Sequence, residues 1–341
     1  MTRPASSRPA NPPQGPETAA ARRSPSPDDG ASIQGGRVSA ECGEAAFTMA
    51  VPARSPLPVL IAVPHAGRAY PRAVLDEMRD PLLSQLRLED RHVDALGREV
   101  ARLTGTGLLV AHAPRAMIDL NRSQRDVDWD MVASGGEGEG RLSRRERLTG
   151  PGARARSGLG IVPRRLPGFG EIWRRPLPRA ELERRIEDIH RPYHTALGEE
   201  LARIREGWGA ALLIDLHSMP PLRRQPSEER SPRIVIGDRF GASCHASIAS
   251  AALAHLEHHG YPAAHNRPYA GGYVLDRHSR PADGFHAVQL EVCRSAYLDA
   301  GFNEPTRGLG PLARMLAGLV RVLGAQAAGL GAGGEMPQAA E

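Results

Sequence analysis

The stretch "LLIDLHSMP", residues 212–220, begins as a buried strand and ends as something else. Leu212, Leu213 and Ile214 form the continuous apolar run of a strand covered on both faces, as in parallel sheets. Asp215 and His217 follow at once, and Pro220-Pro221 then withdraws the backbone from any further ladder. Polar groups at the end of a buried strand need partners, because an unpaired buried group is costly. We read the strand as carrying His217 to the sheet edge as a ligand. Asp215 orients it from behind, and the prolines turn the chain over the site.

Strand-like and helix-like segments alternate around this stretch. "LPVLIAV" (57–63), "GLLVA" (107–111), "ALLID" (211–215), "RIVIG" (233–237) and "HAVQLEV" (286–292) read as strands. Residues 81–103 space Leu82, Leu86, Val93, Leu96, Val100 and Leu103 as one amphipathic helix. Residues 179–205 do the same with Leu182, Ile186, Ile189, Tyr193, Leu197, Leu201 and Ile204, with a kink expected at Pro192. Further helices are expected over 243–258 and 309–323. The alternation predicts an α/β fold: a single domain, residues 51–327, with a mostly parallel central sheet flanked by helices. Residues 1–50 are expected to be a disordered Pro/Ser-rich tail, with seven prolines in the first 27 positions, and 328–341 a second loose tail. The Gly- and Arg-rich stretch 134–160 reads as a long mobile loop.

Composition narrows the function classes. The 341 residues are 40% hydrophobic, enough for a sizeable core, and carry a net charge of +5. The arginines are scattered and not interleaved with aromatics, which argues against nucleic acid. Cys42, Cys244 and Cys293 are odd in number and far apart, so neither a disulfide framework nor a CxxC metal site is expected. No run of 18 apolar residues and no signal-type h-region is evident, so the expectation is a cytoplasmic protein without a membrane span. The sequence leaves a homo-oligomer open.

In open α/β sheets, ligands bind beyond the carboxyl ends of the strands. Past the first strand come Pro64-His65-Ala66-Gly67. Past the second come His112-Ala113-Pro114-Arg115 and then Ile118-Asp119-Leu120-Asn121-Arg122. The central strand delivers His217 and Ser218, and Glu291 lies inside "VQLEV". Two histidines with one oxygen ligand make a zinc site with an open position, the catalytic kind. Asp90, in "LEDRHVDAL", is the chosen oxygen ligand; on a helix it would share a face with Asp94, and a solvated acidic face is the plain alternative. Glu291, with apolar neighbours, must be paired, near a metal, or shifted in pKa. It is either a general base or a structural partner of Arg294.

Nine motifs in order, "VPHAGRAYP", "LEDRHVDAL", "APRAMIDLNR", "GLGIVPR", "RPYHTALGEEL", "LLIDLHSMP", "IVIGDRFGASC", "NRPYAGGYV" and "HAVQLEVCRSAYLD", resemble the N-formylglutamate amidohydrolase family over about residues 57–300. The resemblance implies a fold similar to zinc carboxypeptidases and aminoacylases. It also implies hydrolysis of the formamide of N-formyl-L-glutamate to glutamate and formate, in histidine degradation. His65, Asp90 and His217 would then hold a divalent metal, most simply Zn2+, with Glu89 as the alternative to Asp90. Glu291 would be the base and Arg115 would polarise the carbonyl. Asn121 and Arg122 would grip a substrate carboxylate, helped by Arg267 or the arginines of 141–156. Two rival readings remain: a zinc-dependent deacylase or carboxypeptidase-like hydrolase for another N-acyl amino acid, and an inactive scaffold whose Arg-rich loop contacts nucleic acid.

Overall fold

The computed structural model describes residues 30–39, 43–133, 153–166, 168–223 and 231–333. Its strands are β1 (Ala31–Gly35), β2 (Phe47–Val51), β3 (Val59–Val63), β4 (Gly107–Ala111), β5 (Arg165–Leu166), β6 (Gly170–Glu171), β7 (Ala211–Met219), β8 (Ile234–Gly237), β9 (Ala263–His265) and β10 (Phe285–Cys293). Its helices are α1 (Arg72–Glu77), α2 (Pro81–Leu88), α3 (Val93–Thr104), α4 (Ala153–Arg156), α5 (Arg179–Arg185), α6 (Arg191–Trp208), α7 (Ala246–His258), α8 (Tyr273–His278) and α9 (Leu309–Gly333). A π turn, Ile186–His190, joins α5 to α6 just before Pro192, where the kink was expected.

Eight strands form one sheet in the order β1-β2-β4-β3-β7-β10-β8-β9, and β5 and β6 make a small separate hairpin. The centre, β4-β3-β7-β10, is parallel throughout. Every residue of β3, β4 and β7 is buried, which is why β3, β4 and the first half of β7 read as unbroken apolar runs. The "IVIG" strand β8 is equally buried but runs antiparallel to β10. An apolar run reports that both faces are covered, not the direction of the neighbour.

Two cores lie on the two faces. One packs Leu212, Ile214, Leu216, Val288 and Leu290 against Leu96 and Val100 of α3, Ile248 and Leu256 of α7, and Leu316 and Leu323 of α9. The other packs Leu213 and Ala287 against Tyr193, Leu197 and Leu201 of α6 and Val274 of α8. The helix α9, expected over 309–323 but longer, is long and apolar enough to cross a membrane by length and composition alone. Leu312, Leu316, Leu319 and Leu323 are nevertheless buried in the core, as in a central helix of a globular domain.

Four expectations are corrected. Residues 31–35 and 47–51, all but Val51 placed above in the tail, pair antiparallel at one sheet edge; β1 is short, polar and mostly exposed, so it carries no apolar periodicity. The closing helix runs on to Gly333. The stretch 134–152 of the expected loop lies outside the described residues, as do 1–29 and 334–341, while 153–156 are helical.

The expected single helix over 81–103 is two. Glu89 is extended and His92 left-handed at φ 56°. Tertiary bonds replace the helical ones there: the Asp90 N–H donates to His65 O at 2.9 Å, and Arg294 donates to the carbonyls of Leu86 and Glu89. The break lifts Asp90 off any helix face and away from Asp94, which instead meets Arg68 near the surface.

Behind the second core, His190, His194 and His278 are buried together. Burial pushes His190 down to about 4 and His278 to about 3, and it holds His194 well below the ordinary range. Unfolded histidines protonate near pH 6.5, so the unfolded chain takes up protons that the folded one refuses. Stability conferred by these neutral rings is therefore complete above about pH 6.5 and is lost as pH falls towards about 4. The urea midpoint should drop between about pH 7 and about pH 5, and the drop should shrink in His278→Leu; an unchanged drop would count against the cluster as its source. Leu213→Ala, at the centre of the second core, should cost about 2–5 kcal/mol by the same urea measurement.

Candidate active site

On the face of β7 and β10 that packs against α6, alternation gives Leu213, Asp215, His217 on one strand and Ala287, Gln289, Glu291 on the other. The parallel register sets Gln289 opposite Asp215 and Glu291 opposite His217. The apolar pattern thus stops earlier on this face, while Leu216, Leu290 and Val292 keep the opposite face apolar as far as Ser218 at the end of β7. The chain past β3 adds His65, the broken helix adds Asp90, and the turn past β4 adds Arg115 to Arg122.

Asp90 is the hub. Its Oδ2 lies 3.2 Å from His217 Nδ1 and 3.6 Å from His65 Nδ1. Its Oδ1 accepts from Ser218 Oγ at 3.1 Å and from the Arg294 guanidinium at 3.3 Å. Each imidazole is anchored on its far side: His217 Nε2 to Asp215 Oδ2 at 2.8 Å, and His65 Nε2 to Asp119 Oδ1 at 2.8 Å. An ionised carboxylate only accepts, so both Nε2 atoms carry hydrogen and both Nδ1 atoms face Asp90. His65 Nδ1 is buried without a hydrogen-bond partner. Three electron-rich atoms that converge in this way require a positive charge among them.

Protonation supplies part of that charge. Burial opposes a charged His217, but Asp215 and Asp90 outweigh it and hold the ring protonated well above the usual histidine range. Burial likewise opposes an ionised Asp90, yet His217 and His65 keep its carboxyl well below the ordinary value. A cation is the other way to satisfy the cluster. Ligand atoms of His65, Asp90 and His217 all lie within 4.8 Å of one another, and two imidazoles with one carboxylate suit a tetrahedral ion with a position left open.

A cavity of about 90 Å³ opens beside the cluster, lined by Arg115, Asn121, Arg122, Tyr269, Gln289 and Glu291 among others. Glu291 accepts from Gln289 Nε2 at 2.9 Å, and burial pushes its carboxyl up to about 8. Arg115 donates Nε to Asp119 Oδ2 at 3.0 Å. Asn121 accepts from Val274 N and donates to Gln289 Oε1. Arg122 donates to Asn121 O and, through Nε, to Leu159 O. A Cβ on Gly272 would come within 2.5 Å of Asn121 Oδ1, so the chain can pass over this side chain only as glycine.

All seven expected site residues therefore line one cavity. Among the alternatives, Glu89 is buried but turned away, with Arg91 at 3.0 Å. Arg294 pairs with Asp90, not with Glu291. His112 binds Thr48 outside the cavity, and Arg267 does not line it. Asp119 was given no role although it orients His65 and Arg115 together; its place four residues after Arg115 was the available signal. Gln289, two residues before Glu291 on the same strand face, could have been found from alternation. Ser218 and Arg294 were named in the sequence reading without this role, and Tyr269 carried no comparable signal.

Comparison with known proteins gives the chain its relatives. Residues 57–298 match the family model of N-formylglutamate amidohydrolase. An N-formylglutamate deformylase of Pseudomonas putida is 32% identical over 247 residues, covering 71% of this chain and 82% of that one. A second, from Pseudomonas aeruginosa, is 29% identical over 255 residues, covering 72% and 84%. Among solved structures, the N-formylglutamate amidohydrolase of Ralstonia eutropha JMP134 aligns with TM-score 0.69 at 32% identity, over 82% of this chain and 97% of that one. With its mixed α/β fold and these matches, the chain belongs to the N-formylglutamate amidohydrolase family and is a hydrolase.

Proposed function

We propose that the protein hydrolyses the formamide bond of N-formyl-L-glutamate in a metal-dependent reaction, releasing glutamate and formate. The observation that carries this reading is the convergence of His65 Nδ1, His217 Nδ1 and Asp90 Oδ2 beside a cavity that also holds Glu291 and two arginines. His65, Asp90 and His217 would hold the divalent ion, most simply Zn2+. When bound, such an ion supplies Lewis-acid polarisation of a carbonyl and acidification of water.

The remaining steps fall to the chain's own groups. Glu291 takes a proton from water as its oxygen adds to the formyl carbon, and returns it to the amine nitrogen as the C–N bond breaks. Its raised pKa suits a group that must both accept and give that proton. Arg115, steadied by Asp119, donates to the oxygen that gains negative charge. Arg122 provides the guanidinium for a substrate carboxylate, and Asn121 stands beside it. A cytoplasmic role in histidine degradation goes with this reading and rests on it.

The test is glutamate release from N-formyl-L-glutamate by zinc-loaded protein. Wild type should turn over and bind one ion per chain, and His217→Ala should lose both. Glu291→Gln should keep the ion and lose about 10²–10⁴-fold in kcat. Ion binding without turnover would show that the substrate is wrong; neither ion nor turnover would sink the enzyme reading.

A further inference from the structure

The turn that presents Asn121 and Arg122 to the cavity is held from behind by imidazoles that the proposed chemistry does not use. His190 Nε2 lies 2.8 Å from Arg122 O, and His194 Nε2 lies 3.0 Å from Leu120 O. A carbonyl only accepts, so each ring donates from Nε2 and, being neutral, keeps Nδ1 as a lone pair. The His194 lone pair receives His278 Nε2–H at 2.9 Å. A relay thus runs from His278 through His194 to Leu120 O. The rings pack with centroids 4.4 Å apart for His190 and His194 and 5.2 Å for His194 and His278.

The two carbonyls bracket Asn121. On the cavity side, Asp119 Oδ1 accepts the Asn121 N–H at 2.8 Å, while Val274 and Gln289 hold the Asn121 amide. Orientation of this segment is therefore fixed from both sides, and the rear half depends on two histidines. Leucine would fill similar space but leave both carbonyls without a donor. His190 and His194 are at most 1% exposed, so water could not replace the ring without opening the core. His190 Nδ1 is left buried without a partner, a cost accepted where the other nitrogen is needed.

We propose that His190 and His194 are positioning residues that set the preference for a substrate side-chain carboxylate, by holding the Leu120–Arg122 backbone so that Arg122 meets that carboxylate bidentately. The proposal rests on the role assigned to Arg122 above and takes the carboxylate it meets to be the one on the substrate side chain. Neither histidine lines the cavity. A displacement of about 1 Å in such a clamp can cost as much as ~100-fold.

The test compares His194→Leu with His194→Gln, whose amide N–H can stand in for Nε2–H, in the zinc-loaded full chain. For N-formyl-L-glutamate, His194→Leu should raise KM by roughly tenfold or more with kcat changed less than about threefold. Its preference for N-formyl-L-glutamate over N-formyl-L-glutamine should fall by a similar factor, and His194→Gln should restore most of both. Calorimetric binding of glutarate, a dicarboxylate with no bond to cleave, should weaken in parallel while one zinc per chain is retained. If wild type binds glutarate but turns over nothing, the proposed reaction fails and the positioning role is still read from the variants. An unchanged KM and glutarate affinity in His194→Leu, or equal losses of kcat on both substrates, would overturn the positioning role. Should His194→Leu fail to fold, the pair His190→Leu and His190→Gln gives the same contrast through Arg122 O.

Discussion

A single buried carboxylate organises this molecule. Asp90 holds two imidazoles on one oxygen, and a serine hydroxyl and a guanidinium on the other. Its partners come from four places in the chain: the loop past β3, the end of β7, the segment past β10, and, through Asp119, the turn past β4. Removing one partner of such a buried group costs about 3–5 kcal/mol, because the charge that remains cannot reach water. The helix break at Glu89–His92 is part of the same arrangement. Backbone bonds that an intact helix would have kept are given to His65, Arg294 and Tyr297 instead.

The sheet makes this charge cluster tolerable by confining it. Alternation sends Asp215, His217, Gln289 and Glu291 to one face, and the parallel register brings them abreast. The other face stays apolar through Leu216 and Val292 and packs α3, α7 and α9. Hydrophobic burial can therefore hold the strands firmly while their last residues carry polar groups.

Two populations of buried histidine coexist a short way apart in the chain. His217 faces carboxylates, which hold it protonated against the pull of burial. His190, His194 and His278 face carbonyls, one another and Arg277, and burial keeps them neutral. The same side chain thus serves as a charge carrier where acids surround it and as a neutral donor where only backbone oxygens do.

The strand–helix alternation, the two-sided burial of β3, β4 and β7, and the strand-end residues His65, His217 and Glu291 are legible in the sequence, because periodicity and a polar residue inside an apolar run are local signals. The edge strand β1 is not legible, since a short exposed strand has no periodicity to read. Nor is the direction of β8, since burial on two faces looks alike for parallel and antiparallel neighbours. The break before α3 could not be read because the bonds that cause it come from other segments, the loop past β3 and Arg294, the latter some 200 positions away. The same distance hid Arg294 as the partner of Asp90. The sequence by itself determined which residue types can do the chemistry and on which strands they ride. Only the tertiary structure decided which carboxylate faces the imidazoles, which way each ring points and which cation neutralises it, because those choices depend on hydrogen bonds between segments that meet only when the sheet closes.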